Sequence, residues 1–206
     1  METFSFGARE RSIIQVAYTV ADIESEMRRY TELLGIGAWF LVGPFVPTKG
    51  VYRGAKTRMQ LSLAVAFAGE VMIELIEQHD KEPSVYRETL AARGGHGFHH
   101  WAIGARDFDA TVAAYKARGY TEAFSDLSPR GVRIVYLDTT ADLPGMLEII
   151  EMTADVEEQY RKMHQAAKEW DGQTHIVQRL QPKRPEGTAE SPKCLSGIIL
   201  SLLDQL

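Results

Sequence analysis

Residues 15–24, Gln15-Val16-Ala17-Tyr18-Thr19-Val20-Ala21-Asp22-Ile23-Glu24, return in kind at 100–109 as His100-Trp101-Ala102-Ile103-Gly104-Ala105-Arg106-Asp107-Phe108-Asp109. Each copy is a strand-like run, then an aspartate in the position of a helix N-cap, then the start of an amphipathic stretch. The echo runs on far enough to set Tyr30 opposite Tyr115. A second pair closes the repeat. Val71-Met72-Ile73-Glu74-Leu75-Ile76-Glu77 and Gly145-Met146-Leu147-Glu148-Ile149-Ile150-Glu151 are apolar strands with one carboxylate in the middle. Two modules, each opening with one metal-competent side chain and closing with another, bring four to mind: Gln15, Glu74, His100 and Glu148.

Working outward, Asp22 predicts a helix over 23–34 whose apolar residues Ile23, Met27, Tyr30, Leu33 and Leu34 keep near-3.6 spacing, stopped by Gly35 and Gly37. Strands are predicted at 12–20, 38–42, 59–67 and 71–77, with Ala68-Gly69-Glu70 as a tight turn, so the first module (11–80) reads βαβββ. A connecting helix starts at Ser84 and stops at Arg93-Gly94-Gly95. The second module (96–153) repeats the order, with a strand at 98–105, a helix at 107–118 and strands at about 121–125, 131–138 and 145–152. Together they make one α/β (α+β) domain over 11–153.

A charged helix is expected at 154–172, with Val156, Tyr160, Met163, Ala167 and Trp170 on one stripe that must dock on the core or on a second subunit. The rest, 173–206, is expected to be a largely flexible tail. Residues 181–193 have no apolar face, and the last dozen form a short apolar segment.

The bulk properties narrow the class. At 206 residues the chain can bury a substantial core. A hydrophobic share of 45% beside 25% charged residues excludes global disorder. A net charge of −5 without a dense Lys/Arg block argues against nucleic acid. The single cysteine, Cys194, cannot form an internal disulfide, and no stretch has the make-up of a secretory leader, so a cytoplasmic protein is expected. The apolar run from Cys194 to Leu203 is far shorter than the roughly 20 residues a spanning helix needs. No membrane partner is expected.

The strand-Asp-helix openings, the run from Ser84 to Ala102 ending in Gly97-Phe98-His99-His100-Trp101-Ala102, and the two Glu-bearing closing strands resemble the vicinal-oxygen-chelate superfamily of glyoxalase I, methylmalonyl-CoA epimerase, extradiol dioxygenases and bleomycin-resistance proteins. The Gly-x-His-His-x-Ala run is similar to the glyoxalase and epimerase branch. The resemblance covers residues 11–153. It implies paired βαβββ units packed as one curved mixed sheet around a metal site, a small-molecule substrate and a homodimer. The residues themselves allow blander readings, since a strand histidine is more often structural and a strand glutamate can simply face water. Against these, both copies show the same apolar-Glu-apolar-apolar-Glu pattern, and an unpaired buried charge is costly. Alternation sets His99 on the face opposite His100, and Glu77 and Glu151 on the face opposite Glu74 and Glu148.

The quartet Gln15, Glu74, His100 and Glu148 resembles that of animal-type glyoxalase I in type and order. The resemblance implies metal ligands at all four positions, with Glu148 as the principal proton-transfer residue and Glu74 as a second. Three oxygens and one imidazole suit a divalent ion in six-coordinate geometry, and zinc, nickel, cobalt and manganese all remain open. A Lewis-acidic ion holding two neighbouring oxygens makes an adjacent C–H acidic enough for a carboxylate base. The expected activity is therefore that of a metal-dependent isomerase, epimerase or lyase that enolises a small carbonyl compound or thioester.

Departures from the family patterns keep two other classes in view. The epimerase pattern has His first, Gln second and an extra acid on the preceding strand, where this chain has Gln15, Glu74 and Gln60. The dioxygenase pattern needs His where Gln15 stands. No cluster is assignable to glutathione, although Arg28, Arg29, Arg53 and Arg58 offer charges for its carboxylates, and Tyr18, Trp39, Phe40 and Trp101 are candidates to line a cavity or to fill the core. A metal-free binding protein of the bleomycin-resistance type and an iron-dependent ring-cleaving dioxygenase are the alternatives.

Overall fold

The computed structural model describes residues 2–93, 96–127, 131–173 and 177–180. Module one is β1 (Ile13–Thr19), α1 (Ile23–Leu34), β2 (Trp39–Phe45), β5 (Leu61–Ala68) and β6 (Val71–Gln78). Module two is β7 (Gly97–Ala105), α3 (Phe108–Lys116), β8 (Thr121–Leu127), β9 (Arg133–Asp138) and β10 (Met146–Glu151). The two helices start alike. Asp22 accepts the Ser25 N–H at 3.0 Å, and Asp107 accepts the Ala110 N–H at 3.0 Å. Each aspartate thereby satisfies one of the unpaired amides of a first helical turn. Gly35 ends α1 in the left-handed region at φ 65°, a conformation that costs glycine little.

The sheet is continuous, in the order β2-β5-β6-β1-β7-β10-β9-β8 through the two modules. Within each module the opening strand pairs with the closing strand in parallel, β1 with β6 and β7 with β10. The modules meet where β1 and β7 pair antiparallel. Both are therefore related about that central seam, and equivalent positions of the repeat face each other across it.

Alternation splits the core into two layers. On the back of the sheet α1 packs Ile23 and Met27 against Trp39, Ala64 and Leu75, while α3 packs Phe108 against Val135, Leu147 and Ile149. The front face is concave. Its residues include Ala17, Leu61 and Ile76 from module one and Phe124, Tyr136 and Met146 from module two. Helix α4 (Ala154–Glu169), capped by Thr153, lays Val156, Tyr160, Met163 and Ala167 against Phe4, Phe6, Phe67 and Ile150. The stripe docks on the chain's own core, with Trp170 beyond it so close to Gly37 that a Cβ there would lie 2.7 Å from the indole.

Three elements add to the sequence reading. The hairpin β3 (Val51–Tyr52) and β4 (Ala55–Lys56) crosses from module one to pair with β8 at the far edge of module two. Strand β11 (Val177–Leu180) pairs in parallel with β2 at the other edge, inside the segment expected to be a flexible tail. Two-residue strands and four-residue edge strands carry too little periodicity to register in a sequence window. The connecting helix α2 (Val85–Arg93) is capped by Ser84, whose hydroxyl accepts the Arg87 N–H at 3.1 Å. The rest of the expected tail, 181–206, with the apolar C-terminal segment, lies outside the described residues.

Candidate metal centre

Register along the central seam decides which side chains meet. Ala17 on β1 sits level with Glu74 on β6 and with His100 on β7. Ala102 on β7 sits level with Gln15 on β1 and with Glu148 on β10. Both alanines are fully buried. Large polar residues thus alternate with small ones across four adjacent strands, and the methyl groups leave room for the longer side chains to lean together. Nε2 of Gln15 lies 2.9 Å from Glu74 Oε2, 3.2 Å from Glu148 Oε2 and 3.3 Å from His100 Nε2. His100 Nε2 lies 3.0 Å from Glu148 Oε2 and 3.5 Å from Glu74 Oε2. The ligand atoms of Glu74, His100 and Glu148 all fall within 4.8 Å of one another, close enough to share one ion.

The electrostatics are strained in the absence of a cation. Burial pushes Glu148 up to about 8, opposed by a hydrogen bond from Tyr136. Burial first, and then the charge on Glu148, hold Glu74 well above the carboxylate range. Burial also pushes His100 down to about 3, so its ring is neutral near pH 7. Near neutrality the least costly arrangement keeps a proton on Glu148, donated across the 3.0 Å contact to the His100 Nε2 lone pair. A divalent cation answers the same need more fully, because two desolvated carboxylates and an imidazole lone pair are hard to satisfy otherwise. The amide of Gln15 carries an oxygen beside its nitrogen and can serve either state. The donor set therefore fits a divalent ion.

The surroundings hold the site in place. Tyr136, level with Glu148 on the adjacent β9, donates to that carboxylate and stands 3.0 Å from the hydroxyl of Tyr86. Either hydroxyl can donate in that contact. His99, expected on the opposite face, instead lies on the side of the site, because the register skips it between the pairs Ala17–His100 and Tyr18–Phe98; its ring packs against Tyr86 and Tyr136, and its Nδ1 lies 2.8 Å from Nδ1 of His100. With the His100 Nε2 lone pair turned toward the site, His100 donates from Nδ1 and His99 accepts, a pairing that fixes tautomer and ring orientation. Nε2 of His99 has no hydrogen-bond partner among the described residues, and burial, then the charge of His100, hold its ring well below the ordinary imidazole range. The phenols and His99 lie outside the internal repeat. Tyr136 had one signal in the sequence, a hydroxyl-bearing residue in the middle of the apolar strand Ile134-Val135-Tyr136-Leu137.

Gln15, Glu74 and Glu148 form the floor of a cavity of about 160 Å³ whose walls come from both modules and whose far side is α4, through Val156, Tyr160 and Met163. Other sequence candidates fall elsewhere. Gln60 is exposed and outside the cavity. Arg29 pairs with Glu26 on α1, Arg53 grips Glu88 and Asp138, and neither these nor Arg28 and Arg58 line the cavity. Phe40 is a wall residue, whereas Tyr18 and Trp39 belong to the core behind the sheet and Trp101 packs on Phe98.

The profile described as the glyoxalase/bleomycin resistance protein/dioxygenase superfamily matches residues 14–136, more than half of the chain. The chain belongs to that superfamily. Among solved structures, this superfamily member is similar to a hypothetical protein of Bacillus halodurans, with a TM-score of 0.53 at 21% identity over 69% of this chain and 94% of that one. It is also similar to the methylmalonyl-CoA epimerase of Mycobacterium tuberculosis, with a TM-score of 0.49 at 18% identity over 75% of this chain and 99% of that one. At 21% identity the likeness to the Bacillus halodurans protein speaks to the fold alone. No curated protein matches the sequence significantly. The matched span ends before Glu148 and α4, so the last acid of the site and one wall of its cavity lie beyond it.

A pH dependence follows. The folded-state values of Glu148 and Glu74 lie above the ordinary 4.5, so both contribute stability that is full below about pH 4.5; that of Glu148 is lost as pH rises through about 8, and that of Glu74 is lost in the same direction. His100 runs the other way: its folded value near 3 lies below the ordinary 6.5, so its contribution is present above pH 6.5 and lost as pH falls toward 3. Above pH 6.5 only the carboxylates act. The melting temperature of the metal-free protein is expected to fall between pH 6.5 and 9, and the rise produced by Mn²⁺ to grow over the same interval, because the ion needs both carboxylates deprotonated. Calorimetric scans with and without Mn²⁺ check this; an Mn²⁺ increment that is the same at pH 6.5 and 9 contradicts it.

Proposed function

We propose that the chain is a metal-dependent enzyme of glyoxalase type that enolises a small carbonyl compound by proton transfer, as an isomerase, epimerase or lyase. Gln15, Glu74, His100 and Glu148 would hold a divalent ion. The observation that carries the proposal is the pair of buried carboxylates with an imidazole at the floor of an apolar cavity, with no lysine or arginine among the described lining residues to neutralise them. A pure binding site has little use for such a costly group.

A bound divalent ion would supply Lewis acidity to two neighbouring substrate oxygens and so stabilise the negative charge that appears when the adjacent carbon loses its proton. Glu148 is the base in this reading. Its carboxylate faces the cavity, where it can take a proton from carbon and return it at another position or face. Tyr136 favours the carboxylate form of Glu148 and is itself held by its hydroxyl contact with Tyr86. Glu74, on the opposite side of the floor, is the second acid–base candidate. The apolar walls keep bulk water from competing for the proton.

Elemental analysis of protein purified without a metal-binding tag, followed by solvent-deuterium incorporation into 2-oxoaldehyde adducts and 2-substituted acyl thioesters of small uncharged thiols, tests the proposal. A stoichiometric divalent ion and deuterium at the acidic carbon are the expected results. Absence of both favours the metal-free binding protein, and oxygen consumption with a catechol and ferrous iron favours the dioxygenase.

A further inference from the structure

The cavity is selective in two respects that the metal centre does not explain. The first is charge. Beyond Glu74 and Glu148, the charged residue in its described lining is Asp126, another acid, and no lysine, arginine or histidine is present. Asp126 is 9% exposed and accepts the Lys49 N–H at 2.8 Å, with further hydrogen bonds from the Thr48 and Leu127 amides. It ties the β2–β3 connection to β8 and gives the cavity a negative wall. With the two glutamates answered by an ion or by protons, a phosphate or carboxylate on a substrate tail would meet the acid Asp126 and no cationic side chain in the described lining. The second respect is size. A dry apolar cavity of about 150 Å³ takes one benzene molecule, and this one measures about 160 Å³ with walls such as Phe40, Leu63, Phe124 and Ile134. Helix α4, beyond the span shared with the superfamily, sets that size by inserting Val156, Tyr160 and Met163 where the sheet's concave face would otherwise stay open.

We infer that the site takes a small compound whose two neighbouring oxygens sit on an uncharged apolar group about the size of one six-membered ring, and that α4 excludes substrates with long anionic tails. The two-oxygen end rests on the proposed function; the apolar end does not. Phosphate-bearing thioesters and peptidic thiol adducts are thereby excluded as substrates, and aryl or branched alkyl 2-oxo and 2-hydroxy carbonyl compounds are favoured.

Methionine methyl groups report on the cavity in the intact protein. Met72 and Met163 line it, while Met27 is buried behind the sheet under α1. In metal-free protein with labelled methionine methyls, toluene is expected to shift the Met72 and Met163 resonances through its ring current, saturably, and to leave Met27 in place. Propionyl-CoA, the long anionic tail, is expected to shift none of them. Met163→Trp, which fills the cavity, should abolish the toluene response at Met72; Leu63→Trp, from the opposite wall, serves the same purpose if that variant does not fold. With Mn²⁺ present, phenylacetohydroxamate should bind about tenfold or more tightly than acetohydroxamate, the gain from burying one ring, read by water-proton relaxation of Mn²⁺. If toluene leaves Met72 and Met163 unmoved, or propionyl-CoA shifts them, the inference is overturned. If toluene shifts them but no divalent ion binds, the apolar pocket stands and the proposed function falls.

Discussion

Glu148→Gln is expected to slow solvent-deuterium exchange at the substrate's acidic carbon by about 10²-fold to 10⁴-fold, the usual cost of removing an acid–base residue. The substitution is nearly isosteric at a position that is 3% exposed, so packing is preserved. The new amide keeps an oxygen for Tyr136 to donate to and for an ion to touch, and an NH₂ that can face the His100 Nε2 lone pair. It has lost its basicity and one unit of charge toward an ion, so the comparison is made with the divalent ion in excess. Metal content, measured by elemental analysis on the same preparation, should fall far less than the exchange rate. The ratio of the two effects is the informative quantity. A variant that loses metal in proportion to activity would make Glu148 a ligand only, and the base would then have to be sought at Glu74, the other carboxylate on the cavity floor.

How much of this was legible beforehand depends on what kind of information the sequence carries. The internal repeat is one-dimensional, and it placed β1, α1, β6, β7, α3 and β10 within one or two residues, because strand and helix periods and aspartate caps are local. The same repeat marked Gln15, Glu74, His100 and Glu148 as equivalents. What lets them meet is the pairing of Ala17 with His100 and of Ala102 with Glu148, a fact of strand register that no window of sequence contains. His99 illustrates the limit. Strict alternation sets it on the face away from the site, yet the strand register skips it between the pairs Ala17–His100 and Tyr18–Phe98, an irregularity that brings its ring to the same side, against Tyr86 and His100. The cavity was the least accessible feature. Its walls come from six separated segments, and α4 was readable as an amphipathic helix without any indication of which surface its stripe would cover.

Glu74→Gln separates the cost of the site from its use. In the metal-free protein Glu74 and Glu148 are buried carboxylates, the charge of Glu148 raises Glu74 further, and no cationic side chain is among the described residues lining the cavity. Replacing one by an amide removes a charge that is desolvated and repelled, while the 2.9 Å contact to Gln15 can persist with an oxygen of the new side chain facing the Gln15 amide. The metal-free variant is therefore expected to melt higher than wild type at pH 8, by about 2–4 °C if the relief is worth about 1 kcal/mol in a chain of this length. Its melting temperature should also fall less steeply between pH 6.5 and 9. Metal affinity moves in the opposite direction. Loss of a supporting residue around a metal ligand costs about 10- to 100-fold, so loss of a ligand's charge should cost more than about 100-fold, measured by competition with a chromogenic chelator for Mn²⁺ or Zn²⁺. Such opposite signs mark a group retained for function at the expense of stability. A variant that melts lower than wild type without metal and binds the ion as tightly would show instead that Glu74 is a structural hydrogen-bonding group, and the ion would have to be held by the remaining residues alone.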